Sequence, residues 1–221
     1  MWLLILLLGI LILLILWELW VCEGTHLGRR FVVWLYDLAA FRYDRIKQFD
    51  PSWERSFLGE PISTMSSGFD HPRLLDIGAG TGRVARSLCP LPSFHGTLIN
   101  LEPSKRMLAI GRQITAGDGS TWIRAWAVPL PFADGSFDIV ISLELIEFTP
   151  KPKDTLEEMM RVLQPGGWLL VTNRVGRDAP LILGKIYRRD DFPRVLENVG
   201  FQDVSVYPWQ VNYDLVWARK S

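Results

Sequence analysis

The sequence has no excess charge of either sign, because its 221 residues include 24 Lys and Arg against 24 Asp and Glu. Nucleic-acid binding requires a basic surface, so this balance argues against nucleic acid as the main partner. Cysteine is scarce, and Cys22 and Cys89 form no CxxC motif. This excludes a disulfide-stapled scaffold and predicts two reduced thiols. The three histidines form no HxxxH or HExxH pattern, so no metal site is predicted.

The chain has only one long apolar run, which excludes a polytopic membrane protein. Of residues 1–22, 20 are apolar, and the remainder of the chain has the composition of a soluble domain. A helix over residues 2–22 is about 31 Å long, enough to cross the hydrocarbon core of a bilayer. Trp2 lies at one end and Trp17 and Trp20 at the other, where interfacial aromatic residues are expected. Residues 1–22 are therefore predicted to form a transmembrane helix.

The flanks of this run indicate its type and orientation. No Lys or Arg precedes it and no small-x-small cleavage motif follows it, which favours an anchor over a cleaved secretory signal. Arg29 and Arg30 follow the run, and the positive-inside rule then places the C-terminal domain in the cytoplasm. We therefore expect a single-pass membrane protein with a cytoplasmic domain.

Residues 23–72 are predicted to contain an amphipathic helix and a linker. Apolar residues recur at helical spacing within 27–49, namely Phe31, Trp34, Leu35, Leu38 and Phe41. Two interpretations remain open: an interfacial helix lying on the membrane, or a helix packed on the core of its own domain. Residues 50–72 contain three Pro, two Gly and five Ser, a composition typical of a loop.

Strand and helix patterns alternate through residues 73–221. Apolar runs predict strands at 73–77, 97–101, 121–126, 137–143 and 168–172, with a closing antiparallel pair at 204–207 and 213–218. Helices are predicted at 84–89, 105–114, 154–163 and 190–199, with Ser104 and Asp154 as N-caps and Gly200 as a C-terminal stop. This alternation predicts an α/β fold with a doubly wound, mostly parallel sheet.

A glycine-rich turn, DIGAGTG at residues 76–82, follows the first predicted strand and opens a helix. Such turns present backbone N–H groups to a ligand that approaches closely. A nucleotide-cofactor oxidoreductase is one alternative, but Arg83 occupies the sixth position of GxGxxG, and the carboxylate of Asp76 would repel a pyrophosphate. Asp76 suits a cationic amino group instead. Glu102 ends the second strand, where a carboxylate accepts hydrogen bonds from ribose hydroxyls.

Four motifs in order resemble the class I S-adenosylmethionine-dependent methyltransferases of the type 11 branch: LLDIGAGTGRVA, LEPSKRML, PLPFADGSFDIVISLELIEF and LEEMMRVLQPGGWLLVTN. The resemblance covers about residues 73–173. It implies a Rossmann-like, seven-stranded sheet with a C-terminal antiparallel strand, and 73–221 as the domain that binds S-adenosylmethionine. The cofactor-binding residues it implies are Asp76, Gly78, Ala79, Gly80, Thr81, Gly82, Glu102, Pro103, Trp126, Ala127, Ser142 and Leu143.

Two positions depart from the family pattern. Trp126 stands where an Asp is frequent and cannot accept a hydrogen bond from adenine, so it stacks on the ring or leaves the adenine edge to the backbone of Ala127. Phe148 stands where an E-H-x-x-D-P motif has its His, which leaves Glu144 and Glu147 as the acidic catalytic candidates. An apolar wall here and a membrane anchor favour a lipid or quinone-like small molecule as methyl acceptor.

A second function class stays open beside the enzyme. Trp126 and Phe148 are also compatible with a non-catalytic, membrane-tethered module that binds the cofactor without turnover. Residues 175–189 are first apolar and then basic, and relatives often build the acceptor site in this region. This stretch is interpreted either as a lid at the membrane surface or as an ordinary loop.

Overall fold

The computed structural model describes all residues from 1 to 221 and contains one seven-stranded sheet. The strands are β1 (Arg73–Ile77), β2 (Thr97–Leu101), β3 (Thr121–Ile123), β4 (Phe137–Ser142), β5 (Leu163–Arg174), β6 (Phe201–Gln210) and β7 (Tyr213–Lys220). Their order is β3-β2-β1-β4-β5-β7-β6. The first five are parallel, and β7 runs antiparallel between β5 and β6. The predicted fold class is therefore confirmed.

Alternate residues of the central strands build a core on each face of the sheet. Leu75, Ile77 and Val140 point to one face, where they pack with the helices α8 (Pro152–Val162) and α9 (Phe192–Val199). Leu74 and Ile139 point to the other face, which is covered by α6 (Arg83–Leu88) and residues 55–66. A central parallel strand buried on both faces requires this continuous apolar character.

Helix ends largely follow their capping residues. The helix α7 (Lys105–Ile114) begins after Ser104, whose Oγ accepts a bond from the N–H of Met107 (3.1 Å). The predicted cap at Asp154 is replaced by Lys151, because Pro152 takes the first helical position, where its missing N–H costs nothing. The helix α9 ends at Gly200, which has a φ of 115°.

The fifth strand is longer than its apolar run indicates. It starts at Leu163, directly after α8, and includes Pro165, Gly166 and Gly167, which lie between the predicted helix 154–163 and the predicted strand 168–172. A bulge explains the difference: Leu163 pairs with Phe137, and pairing resumes only between Trp168 and Ile139. The third strand, in contrast, ends at Ile123 and leaves residues 124–126 irregular.

The helix α1 (Trp2–Trp20) is the one helix long and apolar enough to cross a membrane by length and composition. Its apolar side chains are exposed along most of its length. The helix contacts the rest of the protein near its C-terminal end, where the indole N–H of Trp17 donates to the carbonyl of Leu181 (3.1 Å).

The amphipathic stretch folds as α2 (Arg29–Ala39), a 3₁₀ turn and α3 (Tyr43–Lys47), and one face of it packs on the sheet domain. Asp37 accepts bonds from the Ser104 hydroxyl (2.5 Å) and the N–H of Arg106 (3.0 Å). Asp44 accepts a bond from Arg86 (2.8 Å). Several apolar side chains of this stretch stay exposed, among them Trp34, Leu38 and Phe41. The structure thus has the domain-packed arrangement.

Residues 50–72, expected to be a loop, are mostly helical. They form α4 (Pro51–Glu54), a π-helical turn (Arg55–Gly59) and α5 (Glu60–Ser66). Two of the three prolines, Pro51 and Pro61, occupy first-turn positions, and Asp50 caps α4 by accepting from the N–H of Ser52 (2.9 Å). Leu58 and Ile62 are fully buried, so this segment completes the core beside α6.

This packing predicts that Gly59→Ala destabilises the protein. A Cβ at Gly59 would lie 2.1 Å from the carbonyl oxygen of Ser87, so the segment would have to move off α6. We expect the free energy of unfolding, measured by urea titration in detergent micelles, to fall by about 2 kcal/mol. The matched control is Gly68→Ala, whose Cβ would meet no atom closer than 3.7 Å. Equal stability of the two variants would contradict the packing described here.

Candidate active site

The glycine-rich turn follows the carboxyl end of β1, and the strand order reverses direction between β1 and β4. The N–H groups of Gly78 and Ala79 both donate to the carbonyl of Leu101 (2.8 and 3.1 Å), which folds the turn over the end of β2. Gly78 has a φ of 75°, and a Cβ there would lie 2.9 Å from Leu145 Cδ1. This position therefore needs glycine. In open α/β sheets, ligands bind at such switch points.

Two adjoining cavities open at this turn. The larger is bounded by the turn, the ends of β2 and β4 and the inner face of α2, and the smaller by the turn, α3 and the start of α6. Five residues line both cavities: Tyr43, Gly78, Gly80, Leu143 and Glu144. The two cavities therefore form one candidate site with a shared wall.

The fold brings most predicted site residues to these cavities. The larger is lined by Gly78, Gly80, Glu102, Pro103, Trp126, Ala127, Leu143 and Glu144, and the smaller adds Asp76, Ala79 and Thr81. Gly82, Ser142 and Glu147 do not line either cavity. Gly82 is the N-cap of α6, and the Ser142 hydroxyl donates to the carbonyl of Ile77 (3.2 Å), which ties β4 to β1.

Glu147 lies behind the site rather than in it. It is buried, and its carboxylate accepts a hydrogen bond from the Tyr213 hydroxyl (2.7 Å). Burial raises the pKa of Glu147 to about 7, although this hydrogen bond opposes the rise. The hydroxyl of Thr25 donates to the backbone carbonyl of Glu147 (2.5 Å). Glu147 therefore links the turn after α1 to the 3₁₀ turn Ile146–Phe148.

Sequence reasoning missed the contribution of the N-terminal helices to the site. Five cavity-lining residues come from α2 and α3: Arg29, Val32, Val33, Tyr36 and Tyr43. The amphipathic pattern predicts that one helix face is buried, but it carries no information about which surface of the domain that face covers. The contacts of Asp37 and Asp44 decide this, because they dock the helices beside the glycine-rich turn.

Glu102 is held rigidly at the end of β2. Its two carboxylate oxygens accept bonds from the backbone N–H groups of Gly80 (2.9 Å) and Ser104 (2.7 Å). Burial raises the pKa of Glu102 to about 7, and these two N–H donors oppose that rise. The carboxylate thus spans the glycine-rich turn and the start of α7, and faces the larger cavity.

Asp76 is the acidic residue without a hydrogen-bonding partner in the site. It is 2% exposed and lines the smaller cavity. Burial raises the pKa of Asp76 to about 8, the nearby Glu102 adds to the rise, and Arg83 opposes it. A buried carboxylate without a donor is costly, and a ligand with an ammonium group would compensate it.

Glu144 joins the site to a buried ion-pair cluster. Its carboxylate accepts from Arg83 (2.8 Å) and from Lys47, and Arg83 also donates to Glu54 (2.6 Å). The backbone of Glu144 has a φ of 52°, a left-handed conformation that is unfavourable for a residue other than glycine. Such strain persists only where surrounding contacts impose it. Here the ion pairs of Glu144 hold this residue at the wall shared by both cavities.

Trp126 closes the far end of the larger cavity together with α2. The guanidinium of Arg29 lies 4.7 Å from its ring centroid and also donates to the carbonyl of Val128 (2.8 Å). A cation over one face of the indole leaves its other face for stacking on a planar ligand group. This arrangement fits the stacking role expected for Trp126.

Comparison with known proteins agrees with this geometry. Residues 75–171 match the family model described as "Methyltransferase domain". Over most of its length the chain has the fold of a SAM-dependent methyltransferase of Thermotoga maritima, with a TM-score of 0.59, 20% identity and coverage of 84% of this chain and 98% of that one. Residues 75–171 are thus similar in sequence to a methyltransferase domain.

Two curated relatives have names that refer to quinones. A ubiquinone/menaquinone biosynthesis C-methyltransferase UbiE of Francisella philomiragia is 33% identical over 144 residues, or 62% of this chain and 57% of that protein. A demethylmenaquinone methyltransferase of Clavibacter sepedonicus is 34% identical over 50% of this chain and 44% of its own length. The chain thus spans about half the length of the curated relatives it matches.

The residues present fit S-adenosylmethionine. Asp76 offers an unpaired carboxylate to its ammonium group, and Glu102 offers acceptor oxygens to its ribose hydroxyls. Gly78 leaves the space that a Cβ would fill beside Leu145. Trp126 provides an aromatic face, although Ser142 and Gly82 contribute only through the architecture behind the site.

The raised pKa of Asp76 predicts a pH-dependent affinity for S-adenosylmethionine. Binding an ammonium group requires the ionised carboxylate, so a protein with an Asp76 pKa of about 8 must release a proton on binding. Between pH 6 and 7.5 we expect the dissociation constant to fall by up to about tenfold per pH unit. Calorimetry in buffers of different ionisation enthalpy measures the protons released.

The variant Asp76→Asn should weaken binding and remove this pH dependence, whereas Asp118→Asn, at a half-buried residue outside both cavities, should retain it. A wild-type affinity that stays constant across this pH range would show that Asp76 does not contact the cationic group.

Proposed function

We propose that the protein is a membrane-anchored S-adenosylmethionine-dependent methyltransferase whose acceptor is an apolar, quinone-like small molecule. One observation carries the proposal: two buried carboxylates suited to the cofactor, Asp76 in the smaller cavity and Glu102 in the larger, lie in adjoining cavities, of which the larger is mostly apolar. The names of the curated relatives support the quinone-like acceptor class.

The chain's own residues bind and orient the reactants in this proposal. Glu102 accepts hydrogen bonds from the ribose hydroxyls, Asp76 pairs with the ammonium group, and Trp126 stacks on the adenine. When bound, S-adenosylmethionine supplies an electrophilic methyl group on a sulfonium. The protein contributes alignment and exclusion of water, because displacement at a methyl group needs no covalent enzyme nucleophile.

The apolar part of the larger cavity is proposed to receive the acceptor. It is lined by Val32 and Val33 of α2 and by Leu145, Phe148 and Pro150. Phe148 also packs edge-on against Tyr36, with ring centroids 5.8 Å apart. An aromatic ring that carries an apolar tail buries favourably here, whereas a charged acceptor would lose hydration without gaining a partner.

Glu144 is the proposed catalytic residue, since its carboxylate lies on the wall that both cavities share. A C-methylation or O-methylation site needs an acceptor for the proton that the nucleophile loses, and a carboxylate at this wall is positioned to hold it. Glu147, the second acidic candidate, is proposed as a positioning residue, because its bonds to Tyr213 and Thr25 hold the backbone beside Phe148.

The anchoring part of the proposal depends on α1. Its exposed apolar length and the two arginines that follow it support a single span with the catalytic domain in the cytoplasm. An apolar acceptor dissolved in the membrane would then be concentrated beside the enzyme.

A non-catalytic module that binds the cofactor is the second candidate. Trp126 and Phe148 favour it, because both replace polar residues that are frequent in the family. The apolar cavity next to Glu144 favours the enzyme instead. An oxidoreductase is disfavoured by Asp76, which would repel the pyrophosphate of a dinucleotide.

Methyl transfer is tested with the full chain in detergent and a native membrane lipid extract. S-adenosylmethionine that carries a deuterated methyl group should place a +3 Da label on a quinone-like lipid, which mass spectrometry detects. Glu102→Gln keeps the shape of the side chain but loses the charged acceptor, so we expect cofactor affinity about tenfold weaker. Cofactor binding without label on any lipid would favour the non-catalytic module.

Comparison of Glu144→Gln with Glu147→Gln separates the two acidic candidates. We expect Glu144→Gln to lower kcat by about 100-fold with little change in cofactor KM, as removal of a proton acceptor does. Glu147→Gln should mainly lower thermal stability, since it lies outside the cavities. A larger loss of kcat in Glu147→Gln would reverse these assignments.

A further inference from the structure

The segment 174–189, called here the basic loop, has a charge pattern that methyl transfer does not explain. It contains five cationic residues and one acidic residue, with an apolar centre, APLIL, at 179–183. The cations are Arg174, Arg177, Lys185, Arg188 and Arg189. Basic residues that flank an apolar tip are typical of segments that lie at an anionic membrane surface.

A cavity of about 340 Å³ lies within the basic loop, separate from the candidate active site. Its walls combine apolar groups, such as Ile182 and Ile186, with three guanidinium-bearing residues, Arg174, Arg188 and Arg189. Arg189 is neutralised by two bonds to Asp214, whereas Arg188 is highly exposed and lies 3.9 Å from the carboxylate of Asp191. Such a mixture of apolar and cationic walls suits an amphipathic anion.

Arg174 supplies a buried donor without a partner. Its side chain is 8% exposed, and its terminal nitrogens donate to Glu23 (3.2 Å) and Asp178. Its Nε, however, is buried and has no hydrogen-bonding partner. A buried N–H without an acceptor is unfavourable, and the residue that carries it also lines this cavity.

The basic loop is attached to the C-terminal end of α1. Trp17 donates to the carbonyl of Leu181 (3.1 Å), and the thiol of Cys22 lies 3.9 Å from the same oxygen. His26 Nε2 is 2.9 Å from the carbonyl of Leu183, while its Nδ1 is 2.8 Å from a carboxylate oxygen of Glu18. These contacts fix the loop at the level where the anchor helix ends.

The apolar tip is exposed at the same place. Leu181 and Leu183 are 51% and 64% exposed, and Trp20 at the end of α1 is 82% exposed. Exposed leucines and a tryptophan at the end of a span are typical of a segment at the boundary between lipid headgroups and acyl chains.

We propose that the basic loop binds an anionic phospholipid: Leu181 and Leu183 enter the interface, and the phosphate of the headgroup occupies the cavity lined by Arg174 and Arg188. This proposal rests on the membrane anchoring proposed above. The loop is also connected to the active site, because Lys185 donates to the carbonyls of Thr149 (2.8 Å) and Pro150 (2.6 Å), which line the larger cavity. Lipid binding would thereby stabilise the backbone at Thr149 and Pro150, on the side of the larger cavity where we propose that a membrane-dissolved acceptor enters.

The test uses the full chain in non-ionic detergent micelles doped with phosphatidylglycerol or phosphatidylcholine, with lipid retention measured by native mass spectrometry. We expect preferential retention of phosphatidylglycerol. Arg188→Gln removes a cation from the cavity wall and should weaken retention about fivefold. Arg177→Gln is the matched control, since this arginine belongs to the same loop but does not line the cavity, and it should have a smaller effect.

Equal retention of the two lipids, or equal losses in the two variants, would overturn a headgroup site in the cavity. Inorganic phosphate that displaces phosphatidylglycerol at equal concentration would also overturn it, because it would indicate a site for the free anion. The measurement needs neither cofactor nor acceptor, so failure of methyl transfer would not affect it. Alkaline extraction of native membranes tests the anchor separately.

Discussion

The arrangement of the candidate site depends on how the buried guanidinium of Arg83 is compensated. Removing such a cation from water costs several kcal/mol unless it is fully paired. Its Nε and one terminal nitrogen donate to the two carboxylate oxygens of Glu54 (2.6 and 2.7 Å), and the other terminal nitrogen donates to Glu144 (2.8 Å). The ring centroids of Phe49 and Trp209 lie 4.4 and 4.3 Å from the guanidinium carbon. One cation therefore joins α4, the start of α6, the second residue after β4 and the C-terminal hairpin.

This pairing has a consequence for the chemistry of the cavities. Arg83 lies at the start of α6, directly after the glycine-rich turn, and is occupied by Glu54 and Glu144. It only partly offsets the burial of Asp76, so the site keeps an acidic character next to an apolar wall. A site of this kind selects a ligand that is cationic at one end and disfavours the phosphates that the same turn binds in dinucleotide folds.

The N-terminal residues combine two roles that are usually separate. The helix α2 forms part of the apolar wall through Val32 and Val33, and it follows α1 after a short turn that is hydrogen-bonded to the basic loop. In the proposed arrangement, the wall that receives the acceptor is thus covalently connected to the membrane span. The enzyme would then take its substrate from the bilayer without a soluble intermediate stage, which suits an acceptor of low aqueous solubility.

Much of the architecture is readable from local patterns. An apolar run stopped by glycine locates β1, because a central strand must be buried on both faces and the turn after it needs positive φ. The order of four motifs then indicates the methyltransferase fold and the positions of Asp76 and Glu102, since strand ends meet at one edge of a parallel sheet. The apolar run of residues 1–22 and the charges of the basic loop are also visible within short stretches of sequence.

Other features follow only from tertiary contacts. The prolines of residues 50–72 indicate a loop, yet Leu58 and Ile62 bury this segment as helix, because packing outweighs weak local preference. Glu144 and Glu147 lie three residues apart and look equivalent in sequence, but the left-handed backbone at Glu144 directs one carboxylate to the cavities and leaves the other against Tyr213. The sequence by itself determined the fold, the glycine-rich turn and its two carboxylates, because these depend on strand periodicity and backbone conformation. Only the tertiary structure decided which helix covers the cavity and which glutamate faces it, because the placement of the helix and of the glutamate depends on charge pairs between residues distant in the chain.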